Sequence, residues 1–284
     1  MTPDFNLDGK TALVTGASGG LGRYFAGVLA AAGARVAVCA RRLDKVMETV
    51  AGIEALSGSG GGKAIGVEMD VTDAASVAQA FEAIEEQAGT VTVVVNNAGV
   101  ASAGSIEDTT MADWEWILDI NVLGVVRGCK AFTPLFKEQG SGAFVNVASM
   151  AGLMLAPLMD SYNVSKAGVI ALSETLSQEL RDAGIHVSCV CPAFFQTNLT
   201  STMRSDIPGI QQNVNKLMKR SSITAEDVAE DIFRSVKDKD FWVLPHAKER
   251  RMWVLKRHAP WAFDWLMHQE TKRWMSKMGG KAKA

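Results

Sequence analysis

TALVTGASGGLGRYFAGVLAAAGARVAVCA (residues 11–40) reads as strand, turn, helix, strand. TALVTG (11–16) and RVAVCA (35–40) are short and β-branched, whereas GGLGRYFAGVLAAAGA has helical periodicity and ends near Gly33. Two strands joined through one helix form a βαβ crossover, which commits the chain to a parallel sheet. The turn between the first strand and the helix is TGASGGLG (15–22). Glycines there let the backbone approach a pyrophosphate at the helix N-terminus, where N–H groups and the helix dipole favour an anion.

The same alternation continues outward. A helix runs on to residue 56 and is followed by the flexible SGSGGG (57–62). KAIGVEMD (63–70) is a third strand, and DAASVAQAFEAIEEQAG (73–89) is a helix with Asp73 as its N-cap. VTVVVNNAG (91–99) is an almost unbroken apolar strand, as expected when both faces are covered. Helices over about 111–137 and 160–183 flank the strand GAFVNVAS (142–149), and IHVSCVCP (185–192) is strand six. Residues 193–223 read as irregular and polar, 224–236 as a helix with a Thr-x-x-Asp opening, and DFWVLP (240–245) as strand seven. The expected fold is α/β: a doubly wound parallel sheet of about seven strands, helices on both faces, over residues 1–245. Residues 246–284 form an appendage of different composition, not a separate domain.

The chain has 284 residues, 48% hydrophobic and 21% charged, enough for a full core. A net charge of −2 gives no basic field for nucleic acid. The N-terminus shows no signal-peptide pattern, and no apolar run reaches the roughly 18 residues of a membrane span. Cys39, Cys129, Cys189 and Cys191 lie in apolar segments without metal or disulfide spacing, so they read as buried, inert thiols of a cytoplasmic protein. No metal site is expected.

Two features carry chemistry. Cys39-Ala40-Arg41-Arg42 ends strand two with arginines and no acid, which suits a 2′-phosphate rather than a free ribose 2′-hydroxyl. Asp70, ending strand three, is placed either to touch adenine or simply to open a helix. In DSYNVSKAG (160–168), Tyr162 and Lys166 are four residues apart and share one helix face. An ammonium beside a phenol lowers its pKa from about 10 and fits it for proton transfer.

TGASGGLG (15–22), NNAG (96–99), Asn121, Ser149 and Tyr162-Asn-Val-Ser-Lys166 occur in the order and spacing of the short-chain dehydrogenase/reductase family. The chain resembles its compact, single-domain branch over about residues 8–245. The resemblance implies a Rossmann fold and NAD(P)-dependent interconversion of alcohols and carbonyls. It also implies a catalytic set: Tyr162 as acid–base, Lys166 beside it and on the nicotinamide ribose, Ser149 on the substrate oxygen, and Asn121 steadying a water near Lys166. The implied cofactor set is Gly16, Ser18, Gly19, Gly20, Leu21, Gly22, Arg41, Arg42, Asp70, Val71, Asn97, Ala98, Gly99, Tyr162, Lys166, Pro192 and Thr197. NADP(H) is expected over NAD(H). Two positions depart from the family's habit. Ala193 follows Pro192 where glycine is frequent, and Gly19 stands where NADP-binding members often have a basic residue.

MAGLMLAPLM (150–159) and AFFQTNLTSTM (193–203) flank the nicotinamide position and carry no charge. With Ser149 and Tyr162, the residues Ala151, Leu153, Met159, Phe194, Phe195 and Met203 are the expected substrate contacts. They suit a hydrophobic secondary alcohol or ketone, such as a steroid-like ring system. A 3-ketoacyl-type reductase, or a non-catalytic NAD(P)-binding sensor or scaffold, is the alternative. The family habit implies a homodimer or homotetramer through the helices at 111–137 and 160–183. The appendage holds ten Lys or Arg against three acids, and four of seven tryptophans. Pro260 can start a helix with Trp261 and Trp265 on one face. Three readings of it stand: a segment packed over an apolar substrate mouth or a neighbouring subunit, a peripheral membrane contact, or a mobile tail. The closing GGKAKA reads as disordered.

Overall fold

The computed structural model describes residues 7–279 except 58–62, 197, 206, 208, 220 and 222. Seven parallel strands form one sheet: β1 (Thr11–Thr15), β2 (Arg35–Ala40), β3 (Ala64–Glu68), β4 (Val91–Asn96), β5 (Gly142–Val147), β6 (Ile185–Val190) and β7 (Trp242–Val243). Their order is β3-β2-β1-β4-β5-β6-β7, so the chain reverses direction across the sheet between β1 and β4. The crossovers are α1 (Gly20–Ala31), α2 (Leu43–Ser57), α3 (Ala74–Ala88), α4 (Met111–Leu118) continuing into α5 (Gly124–Gln139), α6 (Met150–Met154), α7 (Asp160–Glu179), α8 (Ile210–Lys219) and α9 (Ala225–Lys237). Separate apolar clusters on the two faces make the covered, doubly wound core. One is centred on Phe25, Leu29 and Ile232, the other on Phe132, Phe136 and Phe144.

Asp73 caps α3 by accepting from the Ala75 N–H, and Thr224 and Asp227 form a reciprocal capping box on α9. The long helix over 111–137 is not uniform. Asp119–Leu123 is a π-turn between α4 and α5, and Asn121 lies at its centre.

Residues 193–223 are not irregular throughout. Asn198–Thr202 is a 3₁₀ turn and Ile210–Lys219 is α8, with Ile210, Val214 and Met218 buried four residues apart. The residues between the three anchors are Gln, Asn and Lys apart from Leu217, so overall polarity hid the period. With Val100, Ile117, Ile120, Tyr162 and Met203 they form a third apolar cluster above the sheet's C-terminal edge.

Two single bridges stitch the rim there: Ser102 pairs with Arg204, and Gly104 with Met159. The Ala103 N–H donates to the Arg204 carbonyl at 3.0 Å, the Gly104 N–H to the Leu158 carbonyl at 3.0 Å, and the Ser102 and Ser161 hydroxyls are 2.6 Å apart.

The appendage folds as a helical hairpin, α10 (Ala247–His258) and α11 (Pro260–Gly279). It packs back on the body. Trp253 meets Trp242 with ring centroids 5.1 Å apart, Lys256 Nζ donates to the Leu153 carbonyl at 2.6 Å, and Phe263 is buried. Trp261 and Trp265 stay 78% and 62% exposed, so only part of the aromatic content packs. Most of SGSGGG and of GGKAKA lies outside the described residues. No described helix is long and apolar enough to cross a membrane.

Candidate active site

The crevice at the C-terminal ends of the strands, where strand order reverses, is where open α/β sheets bind ligands. A cavity of about 910 Å³ opens there. The loops after β1 and β4 meet across the reversal through Thr15. Its hydroxyl accepts from the Asn97 and Ala98 N–H groups at 2.9 and 3.0 Å, and Asn97 Nδ2 donates to the Thr15 carbonyl at 2.8 Å.

Gly16 has φ +64°, and a Cβ there would come within 2.7 Å of Ala98 Cα, so the approach of the two loops excludes other residues. Gly20 has φ +55°, and a Cβ built on it would meet nothing within 4 Å. It opens α1, whose first turn holds no acid and whose N-cap, Gly19, offers no capping side chain. This glycine-lined helix start, open to the cavity and without a competing anion, fits the phosphates of a dinucleotide.

Of the expected cofactor contacts, Gly16, Ser18, Gly19, Gly20, Leu21, Arg41, Arg42, Asp70, Val71, Asn97, Ala98, Gly99, Tyr162, Lys166 and Pro192 all line the cavity. Gly22 does not line it. It is buried where a Cβ would strike Asn97 and the Gly16 carbonyl, so it serves helix–loop packing. Thr197 lies outside the described residues. Asp70 Oδ1 accepts from the Thr72 N–H at 2.9 Å and its hydroxyl at 2.8 Å, which fixes the turn after β3 at the cavity wall. Arg41 and Arg42 are exposed, and among the described residues neither guanidinium has an ion-pair or hydrogen-bond partner.

At the other end, Ser149, Tyr162 and Lys166 share the cavity wall and are all buried. Ser149 leaves β5 as the N-cap of α6, its Oγ accepting from the Ala151 N–H at 3.1 Å. Tyr162 and Lys166 project from the first turns of α7, with Nζ 5.9 Å from the ring centroid. A buried polar chain holds α7 against the sheet. Asn96 Nδ2 donates to Asn146 Oδ1 at 2.8 Å, and Asn146 Nδ2 donates to Ser173 Oγ at 3.0 Å.

Burial pushes the Tyr162 phenol above its ordinary value, and a hydrogen bond with Ser149 pulls the other way. The lowering expected from Lys166 does not appear, and desolvation sets the direction. Burial also brings Lys166 down to about 8, against smaller upward effects of Cys191 and Cys189, while Nζ donates to the Val147 carbonyl at 3.0 Å.

Asn121 is fully buried, and its side chain is held by protein partners. Oδ1 accepts from the Val100 N–H at 2.8 Å, and Nδ2 donates to the Val100 carbonyl at 2.9 Å and Ser165 Oγ at 3.0 Å. It ties the NNAG loop to α7. Gly99 lies between Asn121 and Lys166, where a Cβ would sit 3.2 Å from Oδ1 and 3.4 Å from Nζ.

Ala151, Met159, Phe194, Phe195 and Met203 line the substrate end with Ser149 and Tyr162. Leu153 does not. It packs into the core cluster beneath α6 while its carbonyl receives Lys256, and Met154 and Ala156 line the cavity instead. Met150, Ala151 and Met154 of this five-residue helix line the cavity, and the sequence showed no period over so short a span. Sequence reasoning also missed Val214 and Met218 of α8, and Glu249 and Met267 of the hairpin, all of which line the cavity.

The four cysteines are free and buried. Cys189 and Cys191 lie 3.9 Å apart through sulfur, and the Cys191 thiol is pushed up first by its hydrogen bond with Cys189 and then by burial. Among the described residues no group of ligands could hold a metal ion.

A family profile described as short chain dehydrogenase matches residues 10–208. The ketoacyl reductase HetN of Nostoc sp. is 33% identical over 239 residues, covering 84% of this chain and 79% of that protein. A short chain dehydrogenase/reductase from Burkholderia phymatum, solved in complex with NAD, is 31% identical with a TM-score of 0.83, covering 89% of this chain and 94% of that one. A short-chain dehydrogenase from Sphingobium yanoikuyae, solved in complex with NADPH, is 25% identical with a TM-score of 0.73, covering 94% and 95%.

Proposed function

The chain belongs to the short chain dehydrogenase family and is an NAD(P)-dependent oxidoreductase, and on that premise we propose that it interconverts a hydrophobic secondary alcohol and its ketone, with Tyr162 as proton donor and acceptor. The observation that carries this reading is the composition of one cavity. Tyr162, Lys166 and Ser149 share a wall with Met and Phe side chains, and beyond the adenosine end Lys166 is the only Lys or Arg among the lining residues. Such a surface suits an apolar body, and among the described residues it sets no Lys or Arg besides Lys166 against a carboxylate or phosphate on the substrate.

Bound NAD(P) supplies the hydride donor or acceptor, with the glycine turn, Asn97–Gly99 and Lys166 as its proposed holders. The phenol of Tyr162, kept protonated at neutral pH by burial, gives its proton to the substrate oxygen during reduction. The Ser149 hydroxyl donates a hydrogen bond to that oxygen as charge develops. The Lys166 ammonium stabilises the phenolate left behind. Asn121 positions the loop beside Lys166 through Val100 and is the proposed holder of a water near Lys166.

The two unpartnered arginines after β2 support NADP(H) over NAD(H). Hairpin residues Glu249 and Met267 close one side of the cavity, which supports the appendage as a fixed wall of the substrate pocket. Met111, Leu123 and Val164 are exposed on the helices expected to pair subunits, which supports a homodimer or homotetramer. Exposed Trp261 and Trp265 keep peripheral membrane contact as the second reading of the hairpin's outer face.

A panel with both cofactors tests the function: bulky cyclic ketones, 3-ketoacyl thioesters, and short polar ketones. The expected order of kcat/KM places bulky cyclic ketones first and short polar ketones last. Thioesters ahead by tenfold would transfer the protein to the ketoacyl reductases. Dinucleotide binding with no turnover of any member would leave the sensor or scaffold reading.

A further inference from the structure

His246 stands at the junction of the catalytic body and the hairpin, three residues past β7, as the N-cap residue of α10. Its exposure is 5%, yet it makes no capping hydrogen bond to its own helix. Instead Nδ1 accepts from the Ala193 N–H at 3.3 Å. The ring also lies against Phe195, centroids 6.0 Å apart at 41°.

Ala193 belongs to the segment Pro192–Phe195, all of which lines the cavity. That segment is held from its other side as well. The Pro192 carbonyl accepts from the Met150 N–H at 2.9 Å and from Ser149 Oγ at 3.3 Å. The Met150 N–H thus grips the segment from the catalytic side and His246 from the hairpin side. We infer that His246 is a positioning residue, which through its Nδ1 acceptor holds the Pro192–Phe195 segment at the height at which it borders the cofactor and substrate.

The ring can do this only while neutral, because a protonated imidazole has no acceptor. Burial lowers its pKa, against smaller upward effects of Glu249 on α10, the Phe194 backbone and Asp231 on α9, so the neutral form is the one present at neutral pH. Tautomer follows from the contact: with Nδ1 accepting, the proton sits on Nε2, which finds no partner among the described residues. An N-cap residue held for its own helix would bond a free N–H of α10, and this one does not. The cost of removing the acceptor falls on Ala193, whose partly buried N–H would be left unpaired.

The inference rests on the reading that the cavity takes NAD(P), so the test separates the two. NADPH and NADH binding to the wild type is measured first, by fluorescence. No binding would sink the cofactor reading and the inference with it. Given binding, His246→Leu and His246→Asn are compared in cofactor affinity and kcat/KM. Leucine keeps the apolar bulk against Phe195 and deletes the acceptor. Asparagine gives up the bulk and keeps an acceptor oxygen at the place of Nδ1. The expected result is a loss of roughly tenfold in kcat/KM for the cofactor with leucine, and recovery to within about threefold of wild type with asparagine. The reverse order, leucine active and asparagine impaired, would show that the ring acts only by packing and would overturn the inference. If His246→Leu does not fold, His246→Asn decides alone: near wild-type cofactor kinetics uphold the role, and a tenfold loss in a folded protein overturns it.

Discussion

The two ends of the cavity are built by different means. The dinucleotide end is made of strand ends: the turn after β1, the arginines after β2, Asp70 after β3 and the Asn97–Gly99 loop after β4, with the turn after β1 pinned to the loop after β4 through Thr15. The substrate end is assembled from α6, the 193–203 segment, α8 and the hairpin, brought together by apolar side chains and two single bridges. Backbone sites tolerate little variation, because each demands a particular φ or a missing Cβ. Side-chain sites tolerate repacking at similar volume. On the proposed function, holding the cofactor falls to the first kind of construction and substrate choice to the second.

The strongest way to break this division is at Tyr162, which stands where the two ends meet. Tyr162→Phe deletes one hydroxyl and leaves the buried ring in place. Turnover should fall by about 10²–10⁴-fold, the usual loss for an acid–base group. Dinucleotide affinity and melting temperature should stay close to wild type. A variant that keeps more than half of wild-type kcat would remove Tyr162 from the chemistry altogether.

The next effect sharpens the dinucleotide end alone. Arg41→Ala combined with Arg42→Ala removes both cations at the expected 2′-phosphate position while leaving the backbone that leads into α2. Charge-assisted hydrogen bonds contribute about 1.5–3 kcal/mol when well shielded, and exposure of both side chains discounts this to roughly tenfold in the KM for NADPH. The KM for NADH should change less than threefold. Equal shifts for both cofactors, or equal use of both by the wild type, would take the 2′-phosphate out of the account.

How much of each end was legible in the sequence follows from the same contrast. The βαβ alternation, the glycine turn, NNAG and the Tyr162–Lys166 pair were readable because each needs particular residue types at fixed spacing on a periodic element. Among the described residues all the expected dinucleotide contacts line the cavity except Gly22, which turned inward to pack, and Thr197 lies outside them. At the substrate end the apolar segments were located, but their facing was not. Leu153 turned to the core while Met154 and Ala156 faced the cavity, since one turn of helix has no period to read. α8 was lost among amides although its anchors repeat every four residues. Asn121 was placed in the correct helix, yet the π-turn around it and the use of its amide on Val100 come from tertiary contact alone. Glu249, Met267 and His246 reach the site from more than fifty residues beyond Pro192, and no local pattern announces a contact of that kind.

The smallest effect belongs to the rim that joins the two ends. Arg204 lies with its guanidinium carbon 3.9 Å from the Trp116 ring centroid, and it pairs with Asp113 at 2.9 Å. The Asp113 carboxyl is lowered from its ordinary value, first by the hydrogen bond it accepts from Thr110 and then by Arg204. The contact clamps the segment bearing Met203 onto α4, and Met203 lines the substrate end. The side chain of Arg204 is 49% exposed, so the ion pair counts for little and the stacking for about 0.5–1 kcal/mol. The backbone bonds from Ala103 to Arg204 and from Arg204 to Ala101 do not depend on the side chain and should survive its removal. Arg204→Ala is therefore expected to raise the KM of a bulky substrate about two- to fivefold, with the cofactor KM unchanged and kcat within a factor of two. Steady-state kinetics with each component varied in turn would read this. A parallel rise in the cofactor KM would mean that the rim and the dinucleotide end move as one body, and the division between the two ends would have to be given up.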